Sequence, residues 1–230
     1  MLDSTLASII AFLGLFALGI GFHSKTDIRE YIACIGWVLI GFYFFLNTDS
    51  YWEIGDMILV IMSIVALPAG ILLAVWEIRS KQSGDVESAL IWFRGAVLWS
   101  GLPYLLIDKV PWLNVIAIWF VAWQTKLFLS WTGGGNITLG ETWVEQSNGQ
   151  TVLWGDWTGN RWFVSESLGE HAFYTQLLDV NGDPIGINFV LACTALQSMI
   201  IFVGAVVALK APWRRRVRAL LVTLPVIHVL

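Results

Sequence analysis

Ile187-Asn188-Phe189-Val190-Leu191-Ala192-Cys193-Thr194-Ala195-Leu196-Gln197-Ser198-Met199-Ile200-Ile201-Phe202-Val203-Gly204-Ala205-Val206-Val207-Ala208-Leu209 is the stretch on which the fold turns. It is mostly apolar and longer than the roughly 20 residues a helix needs to cross a bilayer. Lys210 follows it directly, and then Arg214, Arg215, Arg216 and Arg218. Cytoplasmic flanks of membrane spans collect Lys and Arg. The pattern therefore predicts a transmembrane helix whose basic end faces inward and whose Cys193 end lies near the extracytoplasmic face.

The composition agrees. Of 230 residues, 57% are hydrophobic and only 13% charged, with a mean hydropathy of +0.71. Soluble domains carry about 25% charged residues, so a large soluble domain is excluded. Several of the Trp residues (Trp52, Trp76, Trp112, Trp131, Trp213) stand at the ends of apolar runs, where an interfacial aromatic belt is expected. No basic stripe with interleaved aromatics points to nucleic acid. The two cysteines, Cys34 and Cys193, fall in separate apolar runs expected at different depths, which argues against a bridge between them. Met1 to Thr5 carry no positive charge and no cleavage site follows, so residues 5–22 read as a retained first span and not as a signal peptide.

The apolar runs cover roughly 5–22, 32–46, 57–76, 88–107, 112–131, 187–209 and 219–230, and all are expected to be helical, because in lipid the backbone must satisfy its own hydrogen bonds. Lys25 and Arg29 place the 23–31 loop inside; Asp49, Glu53 and Asp56 leave the 47–56 loop outside; Arg79 and Lys81 place 77–87 inside. An odd number of crossings must then separate 77–87 from an outside segment at 132–186. One of the two runs between them is expected not to span. The choice falls on 112–131, which follows Pro111 and carries Asn114, Gln124, Thr125, Lys126 and Ser130; it is read as interfacial or re-entrant. The expected fold class is an all-α polytopic membrane protein with about six transmembrane helices, the last incomplete, plus that interfacial helix and a small extracytoplasmic cap. The whole chain, 1–230, reads as one membrane-embedded domain with an insertion at 132–186.

The insertion is the one sizeable polar region. Thr132-Gly133-Gly134-Gly135-Asn136 opens it, and Asn136-Ile137-Thr138 is a glycosylation sequon compatible with an outside location. Thr142–Glu145, Thr151–Trp154 and Arg161–Ser165 read as short strands, separated by the turn signals Asn148-Gly149 and Thr158-Gly159-Asn160. A hairpin-like cap is expected.

Cys193 alone would pass for a small apolar filler of a membrane helix. Thr194, Gln197 and Ser198 change that reading, because three polar side chains within a turn and a half of a thiol are unusual in a lipid-facing segment. Cys193 is thus the candidate nucleophile, with Gln197 and Ser198 as candidate substrate contacts. A nucleophilic thiol also needs a base or cation beside it. Cys193 lies about 25 Å above the basic loop if the helix is continuous, and an antiparallel helix starting near Arg218 would reach that depth only after roughly 16 residues, past Leu230.

Ala192-Cys193-Thr194-Ala195-Leu196-Gln197-Ser198-Met199 resembles the cysteine motif of the archaeosortase A family, within the exosortase/archaeosortase superfamily. Ala211-Pro212-Trp213-Arg214-Arg215-Arg216-Val217-Arg218-Ala219-Leu220, followed by Leu224-Pro225-Val226-Ile227-His228-Val229-Leu230, is similar to the family's run up to its Asn-x-x-Arg motif, and Trp92-Phe93-Arg94-Gly95 to an earlier one. The likeness covers roughly 88–230. It implies a membrane-embedded cysteine transpeptidase or protease of archaeal type. Such an enzyme removes a C-terminal hydrophobic sorting helix from secreted precursors and joins them to a membrane lipid, without cofactor or metal. In the family pattern Cys193 is catalytic, one Arg donates a proton and a second stabilises the oxyanion. Both arginines would follow Leu230, so the chain reads as truncated. The alternative is a non-catalytic helical membrane scaffold or binding protein. A small transporter ranks lower, since paired interrupted helices are missing.

Other residues invite assignment. Arg214, Arg215, Arg216 and Arg218 are expected to anchor topology. Arg94, six residues into its run, lies within snorkelling reach of the cytoplasm; it is read as an anchor, with substrate handling as the sharper option. His228 falls in the last run, below the depth of Cys193, and His171 in the polar cap reads as solvated. Asp179-Val180-Asn181-Gly182-Asp183 opens like a calcium loop, but Pro184 and Val190 occupy two required positions, so a turn ahead of the last long run is expected.

Overall fold

The computed structural model describes residues 4–83, 88–132, 136–164 and 168–229; for Ser4, Ile54, Glu170, His171, Cys193, Thr194, His228 and Val229 it describes the backbone alone. Every apolar run but 187–209 lies in a helix over its described residues. In chain order these are α1 (Ser4–His23), α2 (Arg29–Leu46), α3 (Thr48–Ile54), α4 (Met57–Gln82), α5 (Ser88–Lys109), α6 (Pro111–Trp131), α7 (Leu196–Ala208) and α8 (Trp213–Val229). Four strands lie between α6 and α7: β1 (Thr138–Gln146), β2 (Thr151–Leu153), β3 (Leu168–Leu178) and β4 (Pro184–Phe189). The chain is thus mostly helical with a small sheet. Five helices are long and apolar enough to cross a membrane: α1, α2 with its continuation α3, α4, α5 and α6. The expected interfacial segment 112–131 is one of them, a 21-residue helix that length and composition do not set apart from the others.

The chain divides into two compact units, one of 1–103 with 200–225 and one of 104–199 with 226–230. The second is wider than the insertion read from the sequence, because it takes in α6 and the last turns of α5. In the first unit α2 packs on α1 and α4 around Leu18, Ala33, Trp37 and Ala74. Small residues set that approach: a Cβ on Gly70 would stand 2.5 Å from the Trp37 carbonyl oxygen, and one on Gly41 2.7 Å from that of Ala66. Asp56 caps α4, its carboxylate accepting from the backbone N–H groups of Ile58 (3.1 Å) and Leu59 (3.0 Å). The helix runs on through Glu77 to Gln82, past the expected boundary at Trp76, since the Glu-Ile-Arg-Ser-Lys-Gln stretch contains good helix formers.

In the second unit the strands form one antiparallel sheet in the order β2-β1-β3-β4. Phe173, Thr175 and Leu177 alternate inward along β3 beside Val144 of β1. This face packs against Val115, Ile118 and Ala122, which recur on one side of α6. The expected hairpin exists at β1–β2, with Asn148-Gly149 as its turn. The cap is nevertheless a four-stranded sheet. Arg161–Ser165 is not a strand over its described residues, 161–164: the Arg161 guanidinium donates to the carbonyls of Trp154, Gly155 and Trp157, and the Asn160 side chain accepts from the N–H groups of Trp162 and Phe163, which curls the segment. Ser165 and Gly133 to Gly135 lie outside the described residues.

The largest departure concerns 187–209. Its first residues extend β4, which the Asp179–Asp183 turn folds back onto β3 with Gln176 opposite Asn188 and Thr175 opposite Phe189. Ile185, Ile187 and Phe189 favour such a strand. Only Leu196–Ala208 remains helical, so α7 has 13 residues, fewer than a span needs. In turn α8 starts at Trp213, inside the basic run, and has 17 residues.

Candidate functional site

Cys193 sits between a strand and a helix. Val190 leaves β4 extended (φ −117°, ψ 168°), Leu191–Thr194 make a single 3-10 turn, and Ala195 turns left-handed at φ 47° before α7 begins. Ala195 is the one non-glycine residue with positive φ among those described. That conformation costs an L-residue about 1–2 kcal/mol, and such strain concentrates at functional turns. The break corrects the expected geometry: Cys193 and Thr194 belong to the 3-10 turn, while Gln197 and Ser198 open α7, so the four do not line one continuous helix.

A cavity of about 200 Å³ adjoins this turn, with Val190, Leu191 and Ala192 in its wall. Tyr104 and Asp108 enter from α5, one helical turn apart and therefore on the same face. Asn114 comes from the first turn of α6, Ala172 and Phe173 from β3, and Gln197 from α7. The Gln197 amide donates from Nε2 to the Tyr104 hydroxyl at 3.1 Å. The Asp108 carboxylate meets Lys109 Nζ at 2.9 Å. Asn114 is held by its place in the helix, with Pro111 supplying the helix start and its own backbone N–H bonded to the Val110 carbonyl. It is only 6% exposed, yet its Oδ1 has no hydrogen-bond partner. Ser198, the other candidate contact, is exposed.

Arg94 belongs to the first unit and is fully buried, not snorkelling. Its guanidinium pairs with Glu77 through both terminal contacts, Nε to Oε1 at 2.7 Å and Nη2 to Oε2, and Nη1 donates to the Gly21 carbonyl at 2.7 Å. Trp37 Nε1 donates to the same carboxylate at 3.1 Å. The neighbours in Trp92-Phe93-Arg94-Gly95 are equally committed to packing. Trp92 Nε1 donates to the Ala205 carbonyl, Phe93 stacks on Trp37, and a Cβ on Gly95 would stand 2.5 Å from the Phe22 ring.

The other readings resolve as follows. Arg216 caps the α7–α8 corner, donating to the carbonyls of Val207 (2.7 Å) and Ala211 (2.9 Å), while Arg214, Arg215 and Arg218 are exposed. Cys34 is a free thiol that donates to the Ala74 carbonyl. The backbones of His171 and His228 lie in β3 and α8, and their side chains are outside the described residues. Asp179 serves a hairpin turn that leads into β4, not into a helix. Its carboxylate accepts from the backbone N–H groups of Asp183 (2.9 Å) and Asn181 (2.8 Å) and from the Asn181 amide; these bonds, that of Asp183 foremost, hold its pKa below the ordinary 3.8. Among the described residues no cluster of His, Cys, Asp or Glu could hold a metal. Sequence reasoning missed Tyr104, Asp108 and Asn114 as a group. The available signal was Asn114 itself, a polar residue one turn into an apolar helix.

No protein-family model, no curated protein and no solved structure matches this chain.

Proposed function

We propose that this protein is a multi-pass cell-membrane cysteine transpeptidase that cleaves a C-terminal sorting signal from secreted precursors and transfers them to a membrane lipid. The observation that carries the reading is the strand–turn–helix seat of Cys193, with the left-handed Ala195 two residues on and a polar cavity at its flank. A strained turn between strand and helix is one way folds present a nucleophile. The motif resemblance around Cys193 and the five apolar helices support the same reading. In the proposed orientation the Cys193 turn is near the extracytoplasmic face and Arg214 is cytoplasmic.

The chemistry is two acyl transfers. Cys193 thiolate adds to the scissile peptide carbonyl; the C–N bond breaks, the sorting helix leaves as an amine after taking up a proton, and an acyl-thioester forms. A lipid nucleophile then attacks the thioester, gives up its proton and releases the thiolate. The test is processing in cells: Cys193→Ala should abolish conversion of precursor to mature surface protein, and Cys34→Ala should leave it nearly intact. Normal conversion by Cys193→Ala would leave the scaffold reading in its place.

A further inference from the structure

We infer that Asn114 is a substrate-positioning residue whose side-chain oxygen accepts a hydrogen bond from an amide N–H of the peptide held beside Cys193. The inference deepens the transpeptidase reading and rests on it. Buried polar groups are almost always paired, and leaving one unpaired is costly. Among the described residues Asn114 Oδ1 is the one buried side-chain nitrogen or oxygen atom with no partner, and Asn114 lines the cavity whose wall includes Ala192, the residue before Cys193.

The rest of the cavity narrows what the partner is. The Asp108 charge is already met by Lys109, and the Gln197 amide already donates to Tyr104. What is left wanting is a neutral acceptor, and a neutral N–H matches it. Liquid water takes about 30 Å³ per molecule, so a cavity of about 200 Å³ has room for a group the size of one amino-acid unit. Phe173 and Ala172 supply the apolar side of the wall, as ligand sites do when a few polar groups fix orientation. β4 and the turn that follows it bring Val190, Leu191 and Ala192 into the same wall as Asn114, so a peptide unit held in this cavity lies next to the turn that carries Cys193. An ordered water is the competing occupant.

Thiol capture separates these cases without requiring turnover. The full chain is purified in detergent in a Cys34→Ser background, where Cys193 is the remaining thiol. It is equilibrated, under excess 2-mercaptoethanol, with bis(2-acetamidoethyl) disulfide or with its ester isostere bis(2-acetoxyethyl) disulfide. Cys193 thiolate displaces one thiol from the probe and forms a mixed disulfide, which intact mass counts. The two probes differ in one N–H. The amide should be captured about fivefold better than the ester, the factor expected of a typical net hydrogen bond. Asn114→Leu should bring the ratio to about one, and Asn114→Asp, which keeps an acceptor oxygen in place, should retain the preference. Equal capture in the parent, a ratio that Asn114→Leu does not move, or no capture at all overturns the inference; a water in the cavity predicts the first of these. Normal precursor processing by Cys193→Ala, with the amide preference and its dependence on Asn114 intact, would count against the transpeptidase reading and not against the amide contact.

Discussion

Arg94 and Asn114 are both polar side chains buried in apolar helices, and they differ in one respect. Every buried nitrogen and oxygen around Arg94 has a partner: Glu77 takes both ends of its guanidinium fork, Gly21 takes a third contact, and Trp37 completes the carboxylate. Asn114 has an oxygen with nothing bonded to it. A saturated network has no capacity left for a ligand and serves the fold. An unsaturated group costs stability where it stands and is explained by what it binds. From the sequence, Arg94 is an anchor that could also handle substrate, while Asn114 is only one of the polar residues that mark 112–131 as interfacial. Hydrogen-bond accounting reverses that ranking.

The sharpest way to break the comparison is to remove one partner from the saturated site. Glu77→Leu would strand the Arg94 guanidinium where it is 0% exposed, and truncating one member of a buried ion pair typically costs about 3–5 kcal/mol. The double variant Glu77→Leu/Arg94→Met should recover most of that loss, since an apolar pair of similar volume is often near neutral. Reversible unfolding in detergent, run as a double-mutant cycle, measures both. A single variant with near-parent stability would mean that Arg94 has access to water or to other acceptors and is available for substrate after all.

The same measurement on Asn114→Leu should change sign. Removing an unpaired buried oxygen relieves a penalty of about 1–3 kcal/mol, so this variant should unfold later than the parent while losing the amide preference at Cys193. Gain of stability with loss of function is the usual signature of a site residue. Destabilisation by Asn114→Leu would show that the amide is paired in the working protein and would erase the contrast with Arg94.

How far the sequence could go follows from the range of each signal. Helix positions were legible because apolar length is a local property: 5–22, 32–46, 57–76, 88–107 and 112–131 all lie within helices. Arg94 was misjudged because its partner was placed in a loop. The apolar run ends at Trp76 and leaves Glu77 in the 77–87 loop, but the helix continues to Gln82 and the carboxylate turns into the core. β3 was missed because Thr175 occupies a buried position on the sheet face, paired with Thr142 at 2.7 Å, which interrupts the apolar alternation of Phe173 and Leu177. β4 was absorbed into the run at 187 because a short apolar strand and a buried helix look alike by composition; Pro184, Gly186 and Asn188 were the contrary evidence. The cavity could not be read at all. Tyr104, Asp108, Asn114, Ala172 and Gln197 come from α5, α6, β3 and α7, and only the fold brings them together.

Asp179 supplies the mildest test, because it is saturated like Arg94 but exposed. Its carboxylate accepts from the backbone N–H of Asp183, and then from the backbone and side chain of Asn181, which favours the ionised form and lowers its pKa below 3.8. A depressed folded pKa contributes stability that is fully present above the unfolded value. The contribution therefore holds at neutral pH, begins to fade as pH falls through 3.8, and is gone once pH passes the lower folded value. Because the group is solvent-exposed, water screens the gain, and the effect should be confined to the β3–β4 turn. The Asp183 amide resonance, followed by NMR between pH 6 and about 2, should move with a midpoint below 3.8, while global unfolding of Asp179→Asn at neutral pH should differ little from the parent. A midpoint at or above 3.8 would mean that the turn does not hold this carboxylate. A large loss of global stability in Asp179→Asn would mean that saturation at the surface counts as much as saturation in the core, against the lesson drawn from Arg94.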